Sequence, residues 1–357
     1  MIGLCEHAAP HPSRAVHPCH ANESLLRVDQ LRALAATHNQ PWEPVEPLIN
    51  HNRINLADGI HCKRDGRRWS VSELRDYRRY IYWRHNQQTV ETRAQLQRQW
   101  NSTLIGEVRL WDLLQLLHFT IDHTDGILRY TSQFVHCLQV FAGISEYDFN
   151  RWPFDFYWKR DMQLAALVHD IGKLLSLFGE RDWNVDCMNR VLPGSHSPTR
   201  SCLDKLQLQW NHDEFGYSKL AALNLPPRVL RTVRFHSLRE LQFFYPGYTD
   251  ASIGWHKQRV PPPPPPPPAR RQRWSVAAAR RRAWVAQLYG RNISLEDQQS
   301  FLEHTSAEDK RDAQFVLSFT AFDTKTKLRT ETLPEVNLTE VFEVIEYYFG
   351  PGGRIVW

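Results

Sequence analysis

The chain has 357 residues, 42% of them hydrophobic, with a formal net charge of +5 and six cysteines. That length can bury one large core, or a core with a smaller appendage, and no apolar run approaches the ~20 residues of a membrane-spanning helix. The cysteines (Cys5, Cys19, Cys62, Cys137, Cys187, Cys202) form no C-x-x-C pair, which fits reduced, mostly structural thiols better than a disulfide framework or a zinc knuckle, and the basic excess falls in one window from Arg270 to Arg282, which does not read as a nucleic-acid footprint across the domain.

In chain order, residues 1–60 are expected to be a partly flexible leader, rich in His, Pro and Ala over its first two thirds. Met1 to His20 has no apolar stretch of the secretory kind, so a cytoplasmic location is expected. Ser70 or Ser72 caps a polar helical stretch that runs through Gln99. Apolar residues then recur at three and four spacing in Val108 to Phe119, Tyr130 to Ile144, Arg160 to Phe178, Leu203 to Leu223 and Arg228 to Leu241, with Pro226 and Pro227 at the start of the last. Pro261 to Pro268 is an unbroken proline run and must be extended. With the basic stretch after it, it forms an expected insertion over 255–292 that is solvated rather than a dedicated ligand for a proline-reading module, although such a module is one partner it could serve. Ser306 caps a further helix through Phe315, Phe319 and Phe322 that delivers Asp323 and Lys327 one turn apart. No strand-rich region is evident, so the predicted class is all-α.

His169-Asp170-Ile171-Gly172-Lys173 carries the most chemical information, because it sits between Met162 to Val168 and Leu174 to Phe178, a setting apolar almost all round. Burying an ionised carboxylate and an ammonium there costs several kcal/mol unless each is paired or coordinated. A bound metal is the simplest compensator. His136, His212 and His236 also fall in helical, partly apolar segments, and Asp323 adds a second carboxylate. A lone histidine of this kind is more often a hydrogen-bonded core residue than a ligand; four imidazoles and two carboxylates without a thiolate suffice for two metal ions with a bridging carboxylate. Such a donor set suits iron or manganese and could activate oxygen, or water against a phosphoester.

The motifs His169-Asp170-Ile171-Gly172-Lys173, Trp210-Asn211-His212-Asp213-Glu214-Phe215, Val233-Arg234-Phe235-His236-Ser237, Phe322-Asp323 with Lys327, and the ending from Tyr347 to Trp357 resemble the myo-inositol oxygenase family. The resemblance implies an HD-domain helical bundle over 61–357 that holds two Fe ions, mixed-valent Fe(II)/Fe(III) in the active form. By it the ligands are His136, His169, Asp170, His212, His236 and Asp323, with Asp170 bridging. His136, His169 and Asp323 complete one iron, and His212 and His236 the other. Lys173 and Lys327 hold substrate oxygens and favour their deprotonation; Asp122, Asp125 and Ser237 bind other hydroxyls; Arg75 closes the pocket. The implied reaction cleaves the ring of myo-inositol with O2 to give D-glucuronate.

Three departures mark this chain. Asp122-His123-Thr124-Asp125 stands where the family reads Asp-Glu-Ser-Asp; Asp186-Cys187-Met188 replaces a Gly-Asp pair, with a shorter loop before His212; and the proline-rich segment lies between His236 and Asp323. A related diiron oxygenase with another substrate, an HD-type metal-dependent phosphohydrolase, and a metal-free scaffold whose proline run recruits a partner are the competing readings.

Overall fold

The polar stretch expected to run unbroken through Gln99 folds as two helices, α1 (Val71–His85) and α2 (Val90–Trp100), because the Thr89 hydroxyl accepts from the Thr92 N–H and restarts the chain as a helix. Residues 71–122, 124–128, 131–149, 156–192, 203, 206–238, 241, 305–328 and 334–357 are described by the computed structural model. The expected leader (1–60) and the expected insertion (255–292) lie outside them.

The helix predicted from Val108 begins instead at Leu110 as α3 (Leu110–Leu116), continued by a 3-10 turn, Leu117–Phe119. Glu107–Arg109 forms strand β1, which pairs antiparallel with β2 (Arg354–Val356) in the register Val108↔Ile355. This corrects the helical reading of Val108, whose side chain is buried in the main apolar core. The Trp357 carbonyl reinforces the corner by accepting from the N–H groups of Leu104, Ile105 and Gly106.

The next helices are α4 (Gln133–Ser145), capped by Ser132, and α5 (Phe156–Val168). The sequence predicted one helix from Arg160 to Phe178, but α5 stops at Val168 and resumes after Asp170 as a 3-10 helix, Ile171–Phe178. Asp170 lies between the two at φ −100°, ψ 8°, outside helical geometry.

The helix expected from Leu203 is likewise shorter. Leu208 bridges Val191, and α6 (His212–Leu220) begins only where the Asn211 carboxamide accepts from the Asp213 and Glu214 N–H groups. Pro227 then opens α7 (Pro227–Phe235), a position where its missing N–H has no cost. Ser306 caps α8 (Ala307–Thr326) as expected, and α9 (Leu338–Phe349) precedes β2. Among the described residues the fold is therefore all-α apart from the two-stranded sheet, and no helix among them is long and apolar enough to cross a membrane.

The core is a bundle in which α4 packs on α5 and α8, α7 packs on α5, α6 and α8, and α6 packs on the 3-10 helix after Asp170. Phe134, Phe141, Phe315, Phe319 and Phe322 are fully buried within it. Gly172 and Gly216 let the last of these contacts form. A Cβ on Gly172 would sit 1.8 Å from the His212 carbonyl oxygen, so only glycine allows the two backbones to meet.

Candidate metal centre

The six predicted ligands come from five places in the bundle and converge. His136 lies on α4, and Asp323 in the last turns of α8. The other histidines sit at helix ends rather than within helices as the sequence suggested: His169 follows α5, His212 opens α6 and His236 caps the end of α7. The break at Asp170 explains how neighbours in sequence can face one site. Within a regular helix His169 and Asp170 would diverge by about 100°; unwinding lets both turn inward.

The two oxygens of Asp170 are divided between two sets of imidazoles. Oδ2 lies 3.3 Å from His169 Nε2 and 3.7 Å from His136 Nε2, while Oδ1 lies 3.3 Å from His212 Nε2 and 3.6 Å from His236 Nε2. Asp323 Oδ1 joins the first set, 2.9 Å from His136 Nε2 and 3.9 Å from His169 Nε2. Ligand atoms of His136, His169 and Asp170, and separately of Asp170, His212 and His236, fall within 4.8 Å of one another. The arrangement is two adjacent metal-sized groups with one carboxylate in common.

Three of the imidazoles are set for coordination through Nε2. Nδ1–H of His169 donates to the Ala166 carbonyl at 3.0 Å, that of His212 to Val185, and that of His236 to Thr232 and Val233 at 3.2 and 3.3 Å. Each bond fixes the tautomer that leaves the Nε2 lone pair for a metal. Asp170 Oδ1, Asp323 Oδ1 and His212 Nε2 are buried among one another, with His136, Asp213 and Lys327 as their polar neighbours. Burial opposes ionisation of Asp170, but Lys173 and His169 hold its carboxyl well below the usual range; burial likewise opposes ionisation of Asp323, which Lys327 and His136 keep low. Cys137, beside His136 in the chain, is held protonated by burial and offers no thiolate. Buried anionic oxygens and imidazole nitrogens crowded against one another are the donors that two oxygen- and nitrogen-loving cations satisfy.

Four of the groups expected to face a substrate, Lys173, Lys327, Asp122 and Asp125, connect directly to this cluster. Lys173 Nζ reaches Asp170 Oδ2 at 3.1 Å, Asp122 Oδ2 at 3.2 Å and Gln133 Oε1 at 3.1 Å. Lys327 Nζ reaches Asp125 Oδ2 at 2.8 Å and Asp323 Oδ1 at 3.4 Å. Burial opposes both charges, yet these carboxylates raise both ammonium groups above the ordinary lysine value. The carboxylates of the acidic loop also bond within it: Asp122 Oδ1 accepts from the N–H and hydroxyl of Thr124, and Asp125 Oδ1 from the N–H groups of Ile127 and Leu128. Burial raises the Asp125 carboxyl, and Lys327 more than offsets this, bringing it down to about 2.

Ser237 and Arg75 are placed differently from the metal-side lysines. The Ser237 hydroxyl donates to Asp213 Oδ2 and accepts from the Asn189 N–H at 2.8 Å, while Asp213 Oδ1 sits 2.8 Å from His212 Nε2 and 3.6 Å from His236 Nδ1. In this structure Ser237 therefore supports a carboxylate between two imidazoles. Arg75 is exposed on α1; Tyr77, two residues on, points inward and donates to Asp182 at 2.5 Å.

Sequence reasoning passed over Gln133, Tyr77 and the buried Arg93–Glu214–Arg234 network, in which Glu214 takes Arg93 at 2.8 Å and Arg234 at 2.5 Å. The signal for Gln133 was present, since it lies one helical turn before His136 on the same face. Nothing local marked Tyr77, whose partner is over a hundred residues away.

Residues 75–189 match the family model of myo-inositol oxygenase. The chain is similar to inositol oxygenase of Homo sapiens and of Pongo abelii, each 26% identical over 195 residues that cover 46% of this chain and 63% of the relative. It is also similar to inositol oxygenase 2 of Arabidopsis thaliana, 25% identical over 219 residues that cover 52% of this chain and 64% of the relative. The chain thus spans a little under two thirds of the length of these relatives.

Proposed function

We propose, from the match of residues 75–189 to the family model of myo-inositol oxygenase, that the chain is a diiron oxygenase that opens the ring of a cyclitol, myo-inositol, with O2 to give D-glucuronate. The observation that carries this reading is the division of the two Asp170 oxygens between two imidazole sets, with Lys173 on the same carboxylate. When bound, an iron pair supplies the O2 activation and electron transfer that ring opening requires.

His136, His169, Asp170 and Asp323 would hold one iron, and Asp170, His212 and His236 the other. The carboxylates around Lys173 and Lys327 favour the ammonium form of both against the cost of burial. The part of the two lysines is to bind substrate oxygens and stabilise the alkoxide form, an effect that a water-poor site strengthens. Asp122 and Asp125 hold the lysines in place. A small-molecule substrate, a cytoplasmic location and any partner of the proline run belong to the same proposal.

Oxygen uptake by anaerobically iron-loaded protein, with and without myo-inositol, tests the reading. Uptake that depends on myo-inositol and yields D-glucuronate is expected. Release of phosphate from phosphomonoesters without oxygen uptake would replace it with a hydrolase.

A further inference from the structure

Gln133 opens α4 beside the site, and it is fully buried. Its Oε1 accepts from Lys173 Nζ at 3.1 Å, and Lys173 in turn reaches Asp170 and Asp122. Chemistry fixes which end of the carboxamide faces the lysine: an ammonium donates and cannot accept, so only the oxygen can meet it. The Nε2 end is therefore directed elsewhere, and it is buried without a hydrogen-bond partner. A buried amide N–H without an acceptor carries a desolvation penalty that native structures rarely keep without a reason, and an acceptor brought by a ligand removes it.

We propose that Gln133 is a substrate contact that sets specificity: its Nε2 donates to one ring hydroxyl oxygen of a bound cyclitol while its Oε1 tethers Lys173 for a neighbouring one. The inference rests on the oxygenase reading above. It accounts for the buried, unused donor next to the lysine, and it assigns the discrimination of one hydroxyl position to a single amide. Sites that hydrogen-bond a substrate hydroxyl reject analogues lacking it strongly, because the site's own polar group is then left unpaired.

Calorimetric titration of the iron-loaded full chain under nitrogen, with myo-inositol and its single-deoxy analogues, tests this without turnover. The wild type is expected to bind one deoxy analogue about tenfold more weakly than the parent. Gln133→Leu and Gln133→Glu are both expected to bind myo-inositol about tenfold more weakly and to lose that discrimination. Gln133→Glu keeps an oxygen for Lys173, so its loss of affinity and discrimination separates a missing donor from a missing tether, and thermal melts without ligand verify that each variant folds. If the wild type binds cyclitols but the variants keep its affinity and its ranking of the analogues, or if the wild type ranks none of them apart, Gln133 is only a tether and the inference falls. If the wild type binds no cyclitol, the oxygenase reading falls and takes the inference with it.

Discussion

At the scale of single residues, buried imidazoles are used in two different ways. The candidate ligand histidines face carboxylates, whereas His85 is buried with its Nδ1 2.8 Å from the Trp183 carbonyl, and burial pushes it down to about 3 from the ordinary 6.5. Because the folded value lies below the unfolded one, the unfolded chain binds the extra proton first. The contribution to stability is full above about pH 6.5 and is lost as pH falls from there toward 3. Urea denaturation of wild type and His85→Gln from about pH 7 to about pH 5 should show the wild type losing stability more steeply below pH 6.5, by about 1.4 kcal/mol per pH unit. Parallel curves would mean that His85 is not held neutral. The candidate ligands were legible in the sequence for a simple reason: a His-Asp pair and a lysine in the apolar run from Met162 to Phe178 demand a compensating charge. Gln133, Asn211 and Tyr77 were less legible as site-building residues, because a polar side chain near a helix start reads as an ordinary cap or surface group until its partner is known.

Elements position the site through where they stop. The sequence pattern carried helix from Arg160 through Phe178 because apolar residues continue across the break, and periodicity cannot register that the Asp170 backbone has left helical geometry. The predicted start of α6 failed for the opposite reason: the residues before Asn211 look helical but are held in a bridge between Val191 and Leu208. Caps were readable where a short polar side chain precedes the helix, as Ser306 does. The close approach of the 3-10 helix to α6 gives the sharpest test at this scale. In Gly172→Ala the new methyl meets the His212 carbonyl oxygen at 1.8 Å and its carbon at 2.7 Å, both backbone atoms that no rotamer change can move. Stability should fall by about 3 kcal/mol or more, and iron bound by the His212 set should be lost, as read by chemical denaturation and metal analysis. A variant with wild-type stability and full metal content would show that the two backbones can part without disturbing His212.

At the scale of the whole molecule, the described residues are joined around the candidate centre by contacts between distant parts of the chain. α7 and α8, which carry His236 and Asp323, lie on either side of residues 242–304 in sequence. They are joined by Arg231, which pairs with Asp309 at 3.0 Å and Asp312 at 2.6 Å, and by a second apolar cluster of Phe235, Leu238 and Leu241 with Ala313, Val316 and Leu317. Closing a long loop costs little more than closing a short one. Replacing 255–292 by a short Gly/Ser link should therefore leave the melting temperature within a few degrees and the metal content unchanged; loss of metal would make that segment part of the site. The all-α class was legible from periodicity, whereas the β1–β2 pair was not, since Val108 acquires its strand partner only when Ile355 returns from the far end of the chain. These contacts bring the candidate ligands together, and the most direct test of the proposed centre is metal analysis with Mössbauer spectroscopy on the iron-loaded full chain. Two irons per chain in one magnetically coupled pair, replaced in Asp170→Ala by less than one iron or by uncoupled iron, is the expected result. A single iron, or two uncoupled irons in the wild type, would contradict a centre shared through Asp170.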